Sequence, residues 1–473
     1  MRKSSLPALA LGVLALAAPA SAARAQQSPT PEQTFTRPRT VGGAPASRQP
    51  QEPSKAEGQN NSAPRQQTGP AQPATTPPSA PAVGVPPRQT TRPAAVNTAP
   101  APSATPVVVP SIGPALQLLP PLTLQPARPL SLSKARRSQQ EAERLLRSRS
   151  TATASTPNIS WVTIAALDQD SSQIHLLALP KDTLLTRGAE VQITSNAGMP
   201  LRLRIHRPNY VNTQVVVSDL AGRQLTPLVI EYPIEKFGRF REMAYYTSAH
   251  PSLLTPELVK NGQNYVRTML DLATRRLKEK SKIIAPEIVD IAERLAIVEH
   301  VDHQRFRTES RADLYNEVYA LFALNELNTY RYSVSSAGAG GMVQMIPSTY
   351  QMIRRLHPSV GLNPDFVAGM RNHGNALEAM LLHMQDNWNQ LALNEDVLEA
   401  MRQNWATQTE LVAAGYNSNS ARLPGYIRRG GANWRYLIPR ETQMYHQIYK
   451  SFEGLVPLKS RAEKGENAEA PKN

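Results

Sequence analysis

The spacing of apolar positions divides the chain into three regimes. From about residue 26 to 131 there is no apolar period. Pro, Ala, Thr, Ser and Gln dominate, and aromatics are few. Such a stretch buries too little apolar surface to offset its ordering entropy. A long disordered Pro-rich tether over 26–150 is therefore expected, with a short basic helix within 133–150. From 159 to 234 the apolar residues fall in short runs, such as Trp161–Ile164, Ile174–Leu177 and Val215–Val217. Leu201, Leu203 and Ile205 alternate, and glycine-containing turns separate the runs, which predicts a small antiparallel β module over 151–245. From about Thr255 the period becomes helical. Val266, Leu270, Ala273 and Leu277 form one stripe, and Ile288, Ile291, Leu295 and Val298 a second. A third helix over about 311–326 is apolar on nearly all faces. Further helices are expected near 347–357, 376–391, 394–405 and 441–452. The expected division is a helical linker region over 246–308 that packs on the domain after it, a mostly α domain over 309–458 and a disordered tail over 459–473.

The extreme N-terminus changes the picture of where the protein works. Met1-Arg2-Lys3 is followed by an apolar stretch from about Leu6 to Ala18, then by small residues through Ala25. That order is a secretory signal peptide, assigned to 1–25. No later segment is apolar enough to span a bilayer. The chain has no cysteine, so an exported domain must rely on its packed core. Net charge is +15, with pI near 10.0. Past the inner membrane, a basic surface meets anionic envelope polymers, and no basic-aromatic motif argues for nucleic acid. A periplasmic location is expected.

Candidate chemistry gathers around Glu326. It closes the apolar run beginning at Val318, and Gly338-Ala-Gly-Gly-Met-Val-Gln344 begins twelve residues later. Apolar surroundings and a helix C-terminus both disfavour a charged carboxyl, which suits a general acid. By position alone, a capping or salt-bridging glutamate is an equally simple account. Glu309-Ser310 lies twenty-nine residues before Gly338, and Ser310 reads as a helix cap. Glu299, His300, Asp302 and His303 lack a metal-binding pattern and read as a solvated or salt-bridged helix end.

Residues 326–350 resemble the catalytic signature of the soluble lytic transglycosylases. Val334-Ser335, Gly338-Ala339-Gly340-Gly341-Met342-Val343-Gln344, Pro347 and Thr349 follow the family pattern. Gly415-Tyr416-Asn417 is similar to a third motif, and Pro439, Glu441, Thr442 and Tyr445 to a fourth. Leu327 departs from the serine that follows the family's glutamate, and Ser418-Asn419 from its Ala-Gly. The resemblance implies a goose-lysozyme-like fold acting on peptidoglycan glycan strands. A single acid, Glu326, would protonate the bond between N-acetylmuramic acid and N-acetylglucosamine. It would then deprotonate the muramyl C6 hydroxyl to close a 1,6-anhydro ring. Ser335, Gly341, Met342, Gln344, Tyr416, Asn417 and Tyr445 would bind or position substrate. No metal or organic cofactor is implied. Other envelope proteins would be partners through the β module or tether. The alternatives are a water-using muramidase and a non-catalytic peptidoglycan-binding scaffold.

Overall fold

A computed structural model describes residues 40–41, 122–150 and 159–461. The expected signal peptide, most of the expected tether and most of the expected tail lie outside the described residues. Among those described, no helix is long and apolar enough to cross a membrane.

The two-residue strand β1 (Thr40–Val41) pairs with a loop strand far along the chain. Helix α1 (Leu132–Ser150) follows it in sequence. α1 was placed in the tether by its polar composition, yet Ala135, Ala142 and Leu146 are fully buried. They pack with Leu228, Val229, Ala320 and Ala323, at the seam between sheet and helices. Gln139 Nε2 donates to Thr247 Oγ1 and to the Leu324 carbonyl, which ties α1 to both sides of that seam.

The β module is β2 (Trp161–Leu167), β3 (Ile174–Pro180), the one-turn helix α2 (Lys181–Leu184), β4 (Glu190–Thr194), β5 (Pro200–Arg207), β6 (Gln214–Ser218), β7 (Gln224–Lys236) and β8 (Arg239–Tyr246). All pairings are antiparallel, in the order β3-β2-β7-β6-β5-β4, with β8 also on β7. β7 runs thirteen residues and is buried along most of its length. Its Pro227 lies beside a register shift opposite Ala165/Ala166, where a missing N–H is tolerated. Beyond β4, the Asn196 N–H donates to the Leu176 carbonyl, and the Leu176 N–H to Asn196 Oδ1. The sheet thereby curls until its two edges meet. Alternating Leu201, Leu203 and Ile205 point inward, as their period requires.

The helical part is α3 (Pro256–Glu279), α4 (Pro286–Val298), α5 (His303–Thr308), α6 (Arg311–Asn325), the loop strand β9 (Ser333–Val334), α7 (Pro347–Leu356), α8 (Phe366–Arg371), α9 (His373–Leu391), α10 (Glu395–Arg402), α11 (Gln408–Asn417), α12 (Leu423–Gly430) and α13 (Arg440–Leu455). β9 is the partner of β1. The stripe Val266, Leu270, Ala273 and Leu277 is fully buried. α3 packs on α6, α9 and α4, so residues 256–308 are part of the helical core. One apolar cluster runs from the inside of the sheet to Phe452. After α13 the chain doubles back on α4. Arg461 pairs with Asp290 at 2.8 Å and also with Glu293, while Arg267 reaches Glu293 at 3.1 Å.

Candidate active site

α4 begins with Pro286 at its first turn and is buried on most faces through Val298. Glu299 caps its C-terminal end and is 2 % exposed. A carboxyl withdrawn from water at the carbonyl end of a helix is in the setting where general acids are found. Tyr445 Oη, on α13, donates to Glu299 Oε1 at 2.8 Å. Tyr416, at the end of α11, feels the same carboxyl. Burial, and then the nearby Glu299, push its phenol well above the ordinary value.

The glycine-rich segment is held beside this carboxyl by His300, the next residue in the chain, and by Tyr416 of α11. His300 Nε2 donates to the Met342 carbonyl at 2.8 Å, and Tyr416 Oη to the Val343 carbonyl at 2.6 Å. The His300 ring stacks on Tyr330, with centroids 3.4 Å apart. Ser335 makes a tight turn, its Oγ accepting from the Ala339 N–H at 3.0 Å. Gly341 has φ +69°, and a Cβ there would lie 2.3 Å from the Met370 carbonyl oxygen, so no other residue fits. Gln344 has φ +47°, a strained value for a side chain of its size. Its Nε2 donates to the Gly341 carbonyl and to Ser333 Oγ.

Glu299, Gln344, Met345, Ile346, Tyr416 and Asn417 line one cavity of about 470 Å³. Met352 and Leu356 of α7 add exposed apolar surface, and His383, Asp386 and Asn387 of α9 form a polar wall. Asn417 Nδ2 is buried there without a partner among the described residues. Such a donor is matched by a ligand carbonyl. Burial lowers the His383 imidazole to about 4, so it is neutral near pH 7.

Three of the sequence-predicted residues, Gln344, Tyr416 and Asn417, therefore line a single cavity. Tyr445 is fully buried and reaches the cavity through Glu299. Ser335 and Met342 are buried supports of the loop, and Gly341 is its tight corner. Glu326 is elsewhere. Its backbone has φ +45°, and its side chain is 56 % exposed and bonded to Arg136 of α1 at 3.1 Å. It lines a separate cavity beneath α1 with Gln139, Tyr245 and Thr247. Leu327, the departure from the family serine, is 60 % exposed. The residue that sequence reasoning passed over is Glu299. α5 and α6 stand between it and the glycine segment, so a count of residues back from Gly338 reaches Glu326 rather than Glu299. The available signal was α4 itself, an apolar helix closing on a glutamate. Of the cluster around it, Asp302 is an N-cap, accepting from the Gln304 and Arg305 N–H groups. Comparison with family models, with curated proteins and with solved structures gave no match to this chain.

Proposed function

We propose that this protein is a lytic transglycosylase that cuts peptidoglycan glycan strands on a lysozyme-like helical domain, with Glu299 as its acid. One observation carries the reading. A buried glutamate shares a cavity with Gln344, Tyr416 and Asn417 and accepts a hydrogen bond from Tyr445. Residues from three separate resemblance motifs thus converge on one carboxyl.

Glu299 gives its proton to the glycosidic oxygen as the bond to the muramyl C1 breaks. Its carboxylate then takes the proton of the muramyl C6 hydroxyl, whose oxygen bonds to C1 and closes the 1,6-anhydro ring. Asn417 Nδ2 is a donor suited to an acetamido carbonyl. Met352, Leu356 and Ile346 offer apolar contact to sugar faces. The chemistry calls for no metal or cofactor. The substrate and the signal-like N-terminus together support action in the periplasm.

The test compares wild type, E299Q and E326Q on purified peptidoglycan. E299Q loses solubilisation by about a thousandfold, in the range of a deleted general acid. E326Q stays within about twofold of wild type, because an exposed ion pair contributes little. The reverse order of activities sinks the assignment of Glu299. Retained binding without cutting in all three proteins would favour a scaffold.

A further inference from the structure

The cavity that holds Glu299 also holds a second carboxyl, Asp386. α9 carries it, three residues beyond His383. The His383 ring lies 5.9 Å from that of Tyr416, the tyrosine that senses Glu299. The two acids thus belong to different helices, and Tyr416 and His383 line the same cavity with them. Asp386 Oδ2 pairs with His357 Nε2 at 2.7 Å, and its side chain is 26 % exposed. His357 is fixed in turn at the end of α7, where its N–H donates to the Ile353 carbonyl. An aspartate oriented by a partly buried imidazole, and still reached by solvent, is the arrangement of a base for water.

The number of carboxyls decides the fate of the cleaved sugar. One carboxyl suffices when the substrate's own hydroxyl captures C1. A second carboxyl, spaced to leave room for water, permits hydrolysis. We propose that Asp386, oriented by His357, activates water in this cavity, so that the protein releases hydrolysed as well as anhydro ends and Asp386 sets their ratio. This rests on Glu299 being the acid. In the water branch, Glu299 gives its proton to the glycosidic oxygen, which leaves with the electron pair of the C1–O bond. Water oxygen bonds to C1, and the water proton passes to the Asp386 carboxylate. One water is consumed per bond cut. In the competing branch the C6 oxygen takes the place of water, and none is consumed.

The full-length protein is incubated with purified peptidoglycan, and the soluble fragments are sorted by mass spectrometry into reducing and anhydro ends. Wild type is expected to give both. D386N should lower the share of reducing ends about a hundredfold, the lower end of what a general base contributes. If D386N does not fold, H357F makes the same comparison with the carboxylate kept but its orienting donor lost, and the share falls in the same direction. Anhydro ends alone from wild type, or an unchanged ratio in the folded variant, overturn the proposal. A pair that only braces α7 against α9 would change the thermal midpoint and leave the ratio alone. Loss of both products in E299Q tests the acid, so either assignment can fail without the other.

Discussion

Removing one oxygen from Tyr445 is the smallest change that reaches Glu299. In Tyr445→Phe the ring still fills its buried site, and the donor to Oε1 is lost. A hydrogen bond to a charged group contributes about 1.5–3 kcal/mol, which corresponds to a rate loss of about ten- to a hundredfold in kcat. The phenol stabilises the carboxylate more than the acid, so the alkaline limb of the pH–rate profile should move to higher pH. A profile with an unmoved limb would reduce Tyr445 to a packing group. At this scale the polar partners were legible, because Gln344, Tyr416, Asn417 and Tyr445 each sit in a short local pattern. The carboxyl that shares their cavity, Glu299, was not, because two helices intervene between it and Gly338. Ser335 and Met342 show the converse. Their motif positions match, and burial in the loop's own turn keeps them from the cavity.

Among the helices, α3 and α6 make the most extensive contact. Gly262 sits against the Tyr319 carbonyl, where an added Cβ would lie 1.9 Å from the oxygen. Gly262→Ala must push the helices apart, and overpacking of this kind costs roughly 3 kcal/mol. A drop of several degrees in the thermal midpoint checks it, and an unchanged midpoint would mean that the helices separate freely. Helical periods predicted α3 and α4 well, since each presents an apolar stripe at regular spacing, and α6 was legible as a long run apolar on nearly all faces. α1 was legible as a helix and illegible as a packed one. Its face toward the core has only Ala135, Ala142 and Leu146 among charged residues. Such a face buries little area, and Gln139 and Arg136 complete the contact with hydrogen bonds to Thr247 and Asn261 that no hydrophobic period records.

For the whole molecule, buried histidines set the response to acid. Burial lowers His250, His373 and His383 from 6.5 to about 4. His373 is satisfied as a neutral ring between Tyr265 Oη and the Thr329 carbonyl. The unfolded chain binds protons at these sites below pH 6.5 and the folded chain does not. Stability is therefore full above about 6.5 and falls as pH drops toward 4. Unfolding free energies from urea titrations at pH 7, 5.5 and 4.5 should decline in that order by a total of several kcal/mol. A flat series would show that these rings reach water. Arg461 adds a consequence that concerns time. Asp290 and Glu293 are synthesised about 170 residues before the guanidinium that neutralises them. A buried carboxylate without its partner is strongly unfavourable. Arg267 already pairs with Glu293, so Asp290 is the carboxyl left waiting, and α4, which positions Glu299, is held less firmly until Arg461 has emerged.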